Sequence, residues 1–475
     1  MNSNLRDSVR FNILDEIKIE KIHDASLKIL GKTGVKIDDK KIRELLAENG
    51  AEIDNDRVFI NSDMIDDALN GVPHEIILYD RMGKKNIIAN RDNNIYFGTH
   101  ADMLKIIDPF SNKIRDFLRE DTKLMTSIAN KLSNISFILA VGLAYDVPQK
   151  IQSQIAMLDT LKYFKKTINF SSNDIKGLKE QLEILSIAAG GMEKFREKPF
   201  AFYYCEPIPP LYHPGESTDK LELITKAGVP VVYMPYSMLG GTAPITFSAS
   251  LAQSNAEVLS GLVISQLLVK GSPFIYGAMP SVFDMKTTIG SYGAPEFHLL
   301  VAAASELAEY YNLPFYGTAG SSDAKVVDEQ AVMESTMSCF SSLLSKANIV
   351  HDLGIMDHCN SVSPEMLVLI NETLNMLKPF RNGVMVNDDD LALDLIDEIG
   401  PASHYLSHEH TLNNFRKIWY PELLSRAMDG PESSEIREKI RAKIQNITEE
   451  KKEDILSSDL IQELDKYEEK LYSNL

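Results

Sequence analysis

Eight short runs of β-branched and aromatic residues, each followed by a longer amphipathic stretch, constrain this chain more than any other feature. The runs are IYFG (95–98), SFILAVG (136–142), TINFSS (167–172), FAFYYCE (200–206), VPVVYMPY (229–236), SPFIYGA (272–278), LPFYGTAG (313–320) and ANIVHDLG (347–354). A strand apolar on both faces must be covered on both, and alternation with helices does this through a parallel sheet with right-handed crossovers. Eight such units over roughly 260 residues match the size of a closed (β/α)8 barrel, an α/β fold of the TIM type. An open doubly wound sheet has the same rhythm, but no GxGxxG follows any run and no GxxxxGK[ST] occurs, so nucleotide-binding readings lose their main support.

The flanks differ from this middle. Between residues 15 and 75 apolar positions recur at helical spacing (Ile19, Ile22, Ala25, Ile29), with Gly31, Gly50 and Gly71 where helix C-caps belong. After the turn-rich ANRDNN, the stretches MLKIID and IRDF around PFSNK predict a hairpin. Beyond residue 383 the chain is acidic and helical. The expected division is a helical cap over 1–90, the barrel over 91–380, and a helical extension packed on the barrel over 381–475.

Charge narrows the partners. With 68 acidic against 49 basic residues the formal net charge is −19, which repels a phosphate backbone or an anionic lipid surface. There is no apolar stretch long enough to span a bilayer, and the N-terminus does not read as a signal peptide, so a cytoplasmic protein with no nucleic-acid or membrane partner is expected. Three cysteines, Cys205, Cys339 and Cys359, form no CxxC and suit free thiols in a reducing compartment.

Barrel enzymes react at the C-terminal ends of their strands, so the candidate site residues are those where each run breaks. They are Phe97 and His100, Phe170, Tyr204 and Glu206, Tyr236, Tyr276, Tyr316, and His351 with Asp352. Aromatic density is what distinguishes this set. Each ring has an alternative role as barrel filling with a satisfied hydroxyl, Glu206 as a turn cap, and His351 as donor to a backbone carbonyl.

The segments GTAPITFSASLAQSNAEVLSGLVISQL, GSPFIYGAMPSVFDMKT, GAPEFHLLVAAASELAEYYNLPFYGTAGSSDAKVVDEQAVMES and ANIVHDLG resemble, in order, the trimethylamine methyltransferase family. IEKIHDASLKILGKTGVKIDD and HEHTLNNFRKIWYPELLSR resemble it too, so the likeness spans nearly the whole chain. It implies a barrel that moves a methyl group from an amine to the Co(I) of a corrinoid carried by a separate small protein, with no cofactor bound in its own chain. The founding enzyme carries pyrrolysine and this sequence has none, which resembles the branch acting on quaternary amines such as glycine betaine, proline betaine and carnitine. A quaternary ammonium has no donor to offer, so aromatic faces at about 0.5–2 kcal/mol each, with an acidic group nearby, are its natural holders. On this reading Glu206, His351 and Asp352 are the catalytic candidates and the aromatic strand ends with His100 bind substrate.

The resemblance also covers Ser322, Asp323, Lys325, Asp328, Gln330 and Glu334, which read either as a helix N-cap with first-turn carboxylates or as a corrinoid-facing element, Asp323 and Lys325 foremost. HYLSHEH places His404, His408 and His410 at i, i+4 and i+6, too poorly matched to one helix face for a metal site. After HDLG, family members typically continue with an aromatic and Leu-Glu-Ser-Gly-Leu, whereas here Ile355, Met356, Asp357, His358, Cys359 and Asn360 follow. His358 and Cys359 there are expected to face a substrate carboxylate or hydroxyl, or to be ordinary loop. A tertiary amine, a sulfonium or a methoxy compound remains an alternative donor, and a barrel that only binds a methylated osmolyte an alternative function. A symmetric homo-oligomer is expected, with the terminal helices as available surfaces.

Overall fold

The computed structural model describes residues 9–90, 94–99, 102–426, 435–450 and 455–475. Eight parallel strands close on themselves in chain order: β1 (Tyr96–Gly98), β2 (Ile135–Leu139), β3 (Thr167–Phe170), β4 (Ala201–Cys205), β5 (Val231–Tyr233), β6 (Phe274–Gly277), β7 (Phe315–Thr318) and β8 (Ile349–His351), with β8 pairing back onto β1. A helix follows each: α1 (Arg119–Lys131), α2 (Gln152–Tyr163), α3 (Ile175–Ala189), α4 (Gly215–Ala227), α5 (Phe247–Leu268), α6 (Pro295–Tyr310), α7 (Glu329–Leu344) and α8 (Pro364–Asn382). Each of the eight apolar runs supplies one barrel strand.

Side-chain alternation sorts each strand into an inner and an outer set. Phe137 of β2, Phe202 of β4 and Tyr316 of β7 meet at the barrel centre with ring centroids 5.5–6.2 Å apart. Room for them comes from Gly98 of β1, where an added Cβ would stand 2.4 Å from the Phe137 ring. Tilted and edge-to-face contacts of this kind add about 0.5–1.5 kcal/mol per pair beyond burial. On the outer face Phe170 packs edge-on against Tyr203 at 5.1 Å. Tyr276 donates to Asn255 Oδ1 of α5 at 2.9 Å and stacks on Tyr311.

Helix α5 is buried along most of its length, from Ser250 through Gln266. It therefore shows no polar stripe, because helices Glu16–Lys28 and Ser62–Gly71 cover the side that the barrel does not. Ser26 ties that cover down by donating to the Ala252 carbonyl at 2.9 Å. The N-terminal region is not wholly helical as its spacing suggests. Three-residue strands Val35–Ile37, Glu52–Asp54 and Arg57–Phe59 form a small sheet with Tyr212–His213, and a hairpin of Ile76–Tyr79 and Lys85–Ala89 lies across the N-terminal end of the barrel. There Asn86 donates to Ser136 O and Thr167 Oγ1, and Tyr79 N to Pro199 O. Strands this short carry too few residues for a period-two pattern.

At the other terminus helices Glu435–Glu449 and Ser458–Ser473 lie against α8 and α1, and against α3 and α2. Arg119 at the start of α1 binds Asp159 of α2 through Nε and Nη2 (2.7 and 2.8 Å), and Glu468 of the last helix through Nη1 and Nη2 (2.6 and 3.0 Å). Two bidentate pairs on one guanidinium are a geometry lysine cannot supply. Residues 384–420, between α8 and these helices, include no buried side chain. Among the described residues no helix is long and apolar enough to cross a membrane.

One buried acid makes a stability prediction. Glu257 of α5 accepts from Leu211 N at 2.7 Å and Gln253 Nε2 at 3.0 Å, yet burial outweighs both bonds and pushes its pKa up to about 7. The folded state then holds a proton that the unfolded chain releases near pH 4.5, so stability falls as pH rises from about 4.5 to about 7 and levels off above. Chemical denaturation across that window should show Glu257→Gln lacking this component, a difference on the order of 3 kcal/mol between its ends.

Candidate active site

The mouth of the barrel is built on the turn that leaves β8. Asp352, the residue after the strand, adopts φ 81°, and its neighbours are sewn to both flanking strands: Ala319 N donates to His351 O (3.0 Å), Leu353 N to Gly98 O (3.2 Å) and Gly354 N to Gly320 O (3.2 Å). A non-glycine residue held in the left-handed region needs such surrounding restraint, and here it turns a carboxylate into the mouth. Thr318 of β7 donates to Asp352 Oδ2, and His351 Nε2 lies 3.3 Å from Oδ1. His351 Nδ1 donates to the Gly317 carbonyl at 2.9 Å, which fixes the ring plane. His351 and Asp352 are both fully buried.

Aromatic rings surround this pair. Tyr316 is centred 4.6 Å from the His351 ring, and Tyr204 of β4 lies roughly parallel to it at 6.2 Å. The Tyr204 hydroxyl donates to Glu206 Oε2 at 3.0 Å, with Glu206 exposed and Tyr204 half-buried. The Tyr316 hydroxyl donates to Asn169 Oδ1 at 2.9 Å, and Asn169 Nδ2 to the Phe202 carbonyl at 2.9 Å. Burial first, then the nearby acids, hold the phenols of Tyr204 and Tyr316 far above their usual pKa, so both rings stay neutral.

A second tier stands above the first. It consists of a hairpin after β6 (Ser281–Asp284 with Ile289–Ser291) and a hairpin after β8 (Ile355–Met356 with Ser361–Val362). The second contains the segment where the sequence departs from the family it resembles, and its tip runs through Asp357, His358 and Cys359 at φ 54°, 53° and 70°. His358 Nδ1 reaches Asp323 Oδ1 at 3.1 Å. Asp323 also accepts from Tyr292 N at 2.8 Å and Ser291 Oγ at 2.5 Å, so one carboxylate joins the loops after β6, β7 and β8. Tyr292 packs against Tyr236 at 6.2 Å, and its hydroxyl meets Cys359. Both phenols are raised chiefly by burial, and both feel the charge of Asp352.

The structure thus brings together Glu206, Tyr204, Tyr316, His351 and Asp352 in the first tier, and Tyr236, His358 and Asp323 in the second. Phe170 and Tyr276 face the helical layer instead, because they sit one residue out of phase with the inner set. Phe97 also alternates outward from Gly98, whose position faces Phe137. His100 lies outside the described residues. Lys325 is exposed at the surface, and Asp328 caps α7 by accepting from Ala331 N. His408 caps the short helix Glu409–Asn414, accepting from His410 N. Asn169, Thr318 and Tyr292 belong to the site although the strand-end pattern does not single them out. The available signal was a polar residue inside the apolar runs TINF and FYGT.

Asn169→Leu should leave the Tyr316 hydroxyl unpaired in the barrel and cost about 1–3 kcal/mol, while Asn169→Leu with Tyr316→Phe should recover much of the loss. Urea unfolding of the two variants reads the difference.

A family model described as "Trimethylamine methyltransferase (MTTB)" matches residues 2–472. Among curated proteins, the trimethylamine methyltransferase MttB of Desulfitobacterium hafniense strain DCB-2 is 30% identical over 86% of this chain and 82% of its own. The glycine betaine methyltransferase of Desulfitobacterium hafniense strain Y51 is 28% identical over 88% of this chain and 87% of its own. Among solved structures, the Methanosarcina barkeri monomethylamine methyltransferase aligns with a TM-score of 0.53 at 13% identity over 91% of this chain and 88% of its own, a likeness that concerns the fold alone.

Proposed function

The chain belongs to the trimethylamine methyltransferase family and is a methyltransferase; from that premise we propose that it takes a methyl group from a small quaternary amine of betaine type and passes it to the Co(I) of a corrinoid on a separate protein. The observation that carries this reading is the first tier: Tyr204 and Tyr316 pack on His351, whose Nε2 lies 3.3 Å from the Asp352 carboxylate, with Glu206 at the Tyr204 hydroxyl. Neutral rings and two acids suit a cation without hydrogens to donate.

Co(I) supplies the nucleophile, and the C–N electron pair leaves on nitrogen. A quaternary nitrogen departs as a neutral amine, so the chain need deliver no proton. Its residues orient the cation through ring faces, balance its charge with Asp352 and Glu206, and exclude water from the approach line. Thr318 donates to the Asp352 carboxylate and holds it in place, with His351 Nε2 3.3 Å away. His358, braced by Asp323, stands in the second tier where a carboxylate at the far end of a zwitterionic donor would lie. Asp323 acts here by joining three loops, and with the exposed Lys325 it forms the side of the mouth offered to the corrinoid protein.

The test is anaerobic. Purified chain, a reduced corrinoid protein and a panel of betaines, tertiary amines, sulfonium and methoxy compounds are mixed, and loss of the Co(I) absorbance is followed. Betaines should react and the other classes should not; no reaction with any donor, together with calorimetric binding of betaine, would instead support a binding-only barrel. Tyr204→Ala should raise KM about two- to thirtyfold, the loss of one ring face, whereas Tyr276→Phe should leave the rate unchanged. His358→Ala should raise KM for carboxylate-bearing donors and spare a simple tetraalkylammonium.

A further inference from the structure

Residues 384–420 leave the barrel at the end of α8 and return to it at Pro421–Leu423, where Glu422 N and Leu423 N donate to Glu372 Oε1 at 2.7 and 3.1 Å. Between those anchors the chain forms three short α-helices, Asp388–Leu391, Leu393–Ile399 and Glu409–Asn414, and a 3-10 turn, Phe415–Lys417, and no side chain is buried. Among the described residues its hydrogen bonds and ion pairs stay local, as in Thr411 to Tyr405 O, His410 N to His408 and His408 to Glu398.

Such an arm would be ordinary were it polar, but it is not. Twelve large apolar side chains in it are exposed, among them Val384 at 90%, Leu406 at 83%, Val386 at 74% and Leu412 at 70%. With about 100 Å2 open on each, the arm presents on the order of 1,000 Å2 of apolar surface, beyond both the few hundred Å2 usual for a monomer and the roughly 800 Å2 per partner of a stable interface. The same molecule carries an apolar receiver. Phe11, Leu299 of α6, and Met337 and Phe340 of α7 line a groove of about 280 Å3. Phe380 of α8 packs edge-on against Phe340 at 5.5 Å beside it, and Met333, one turn before Met337, is 72% exposed.

We propose that residues 384–420 form an exchange arm that lies over the α6–α7 groove of a second copy of this chain, each copy giving an arm and receiving one. A surface pair related by a twofold axis closes on two subunits. The two ends are tethered to α8, so the arm is offered as a preset loop and loses little conformational freedom on docking. The HYLSHEH stretch then has a structural part: His408 caps the helix Glu409–Asn414 that carries Leu412 outward.

Sedimentation velocity on the full chain over a wide dilution series tests this, alongside Leu393→Asp/Leu406→Asp/Leu412→Asp in the arm and Met337→Asp in the groove. All four residues are exposed, and circular dichroism serves as the folding control. Wild type should run at an even multiple of the 53.2 kDa chain mass, and both variants should shift to the single-chain mass with unchanged spectra. A wild type at the single-chain mass throughout, including one that gains mass only when a corrinoid protein is added, overturns the second-copy reading. An assembly that survives the arm substitutions overturns the arm, and one that survives Met337→Asp while the arm variant dissociates overturns the groove as its receiver.

Discussion

Closure of the barrel between β8 and β1 is the constraint on which the rest depends. Ile349 and Val350 pair with Tyr96 and Phe97, and that seam brings residues more than 250 positions apart in sequence into register. It sets Asp352 above the ring by letting Leu353 donate to Gly98, and it leaves the centre just wide enough for Phe137, Phe202 and Tyr316 because Gly98 contributes no side chain. Were β1 to carry a bulkier residue there, the aromatic layer beneath the mouth would have to move, and the His351 ring resting on Tyr316 with it.

Above that layer the chemistry is arranged by loops of very different character. The first tier sits on strand ends, and its hydroxyl, amide and carbonyl partners come from barrel strands and the residues just after them. The second tier is held by one carboxylate, Asp323, which gathers the loops after β6, β7 and β8 at a single point. Methyl-transfer chemistry that relies on positioning suits this division, because strand ends fix side chains more firmly than loops, and loops tolerate replacement.

The strands and their order were readable because each run is apolar throughout and each is followed by a helix. That same uniformity hid which residues point inward. In a strand buried on both faces the alternation is between two apolar sets, so Phe170 and Tyr276 look as eligible as Tyr204 and Tyr316. The distinguishing signal lay in polar residues inside the runs: Asn169 and Thr318 mark the inner phase, and the hydrogen bonds they make show why they are tolerated. The small N-terminal sheet was illegible for a different reason, since three-residue strands leave no periodicity and are specified by the partner strand Tyr212–His213 far along the chain. The remodelled segment after β8 was conspicuous in sequence, but three successive left-handed residues at its tip could not be foreseen from non-glycine letters.

The Arg119 clamp carries a consequence for how the molecule is made. Its two carboxylate partners lie 40 and 349 residues further on, and the last belongs to the helix that ends the described chain. A ribosome releases the first strands long before residue 351 can close the ring or residue 468 can neutralise the guanidinium. For most of synthesis the nascent chain is an open parallel sheet with two unpaired edges and an apolar interior facing water, the state most prone to wrong partners. Arg119 gains its second carboxylate only when the helix Ser458–Ser473 docks, so that helix fastens α1 to α2.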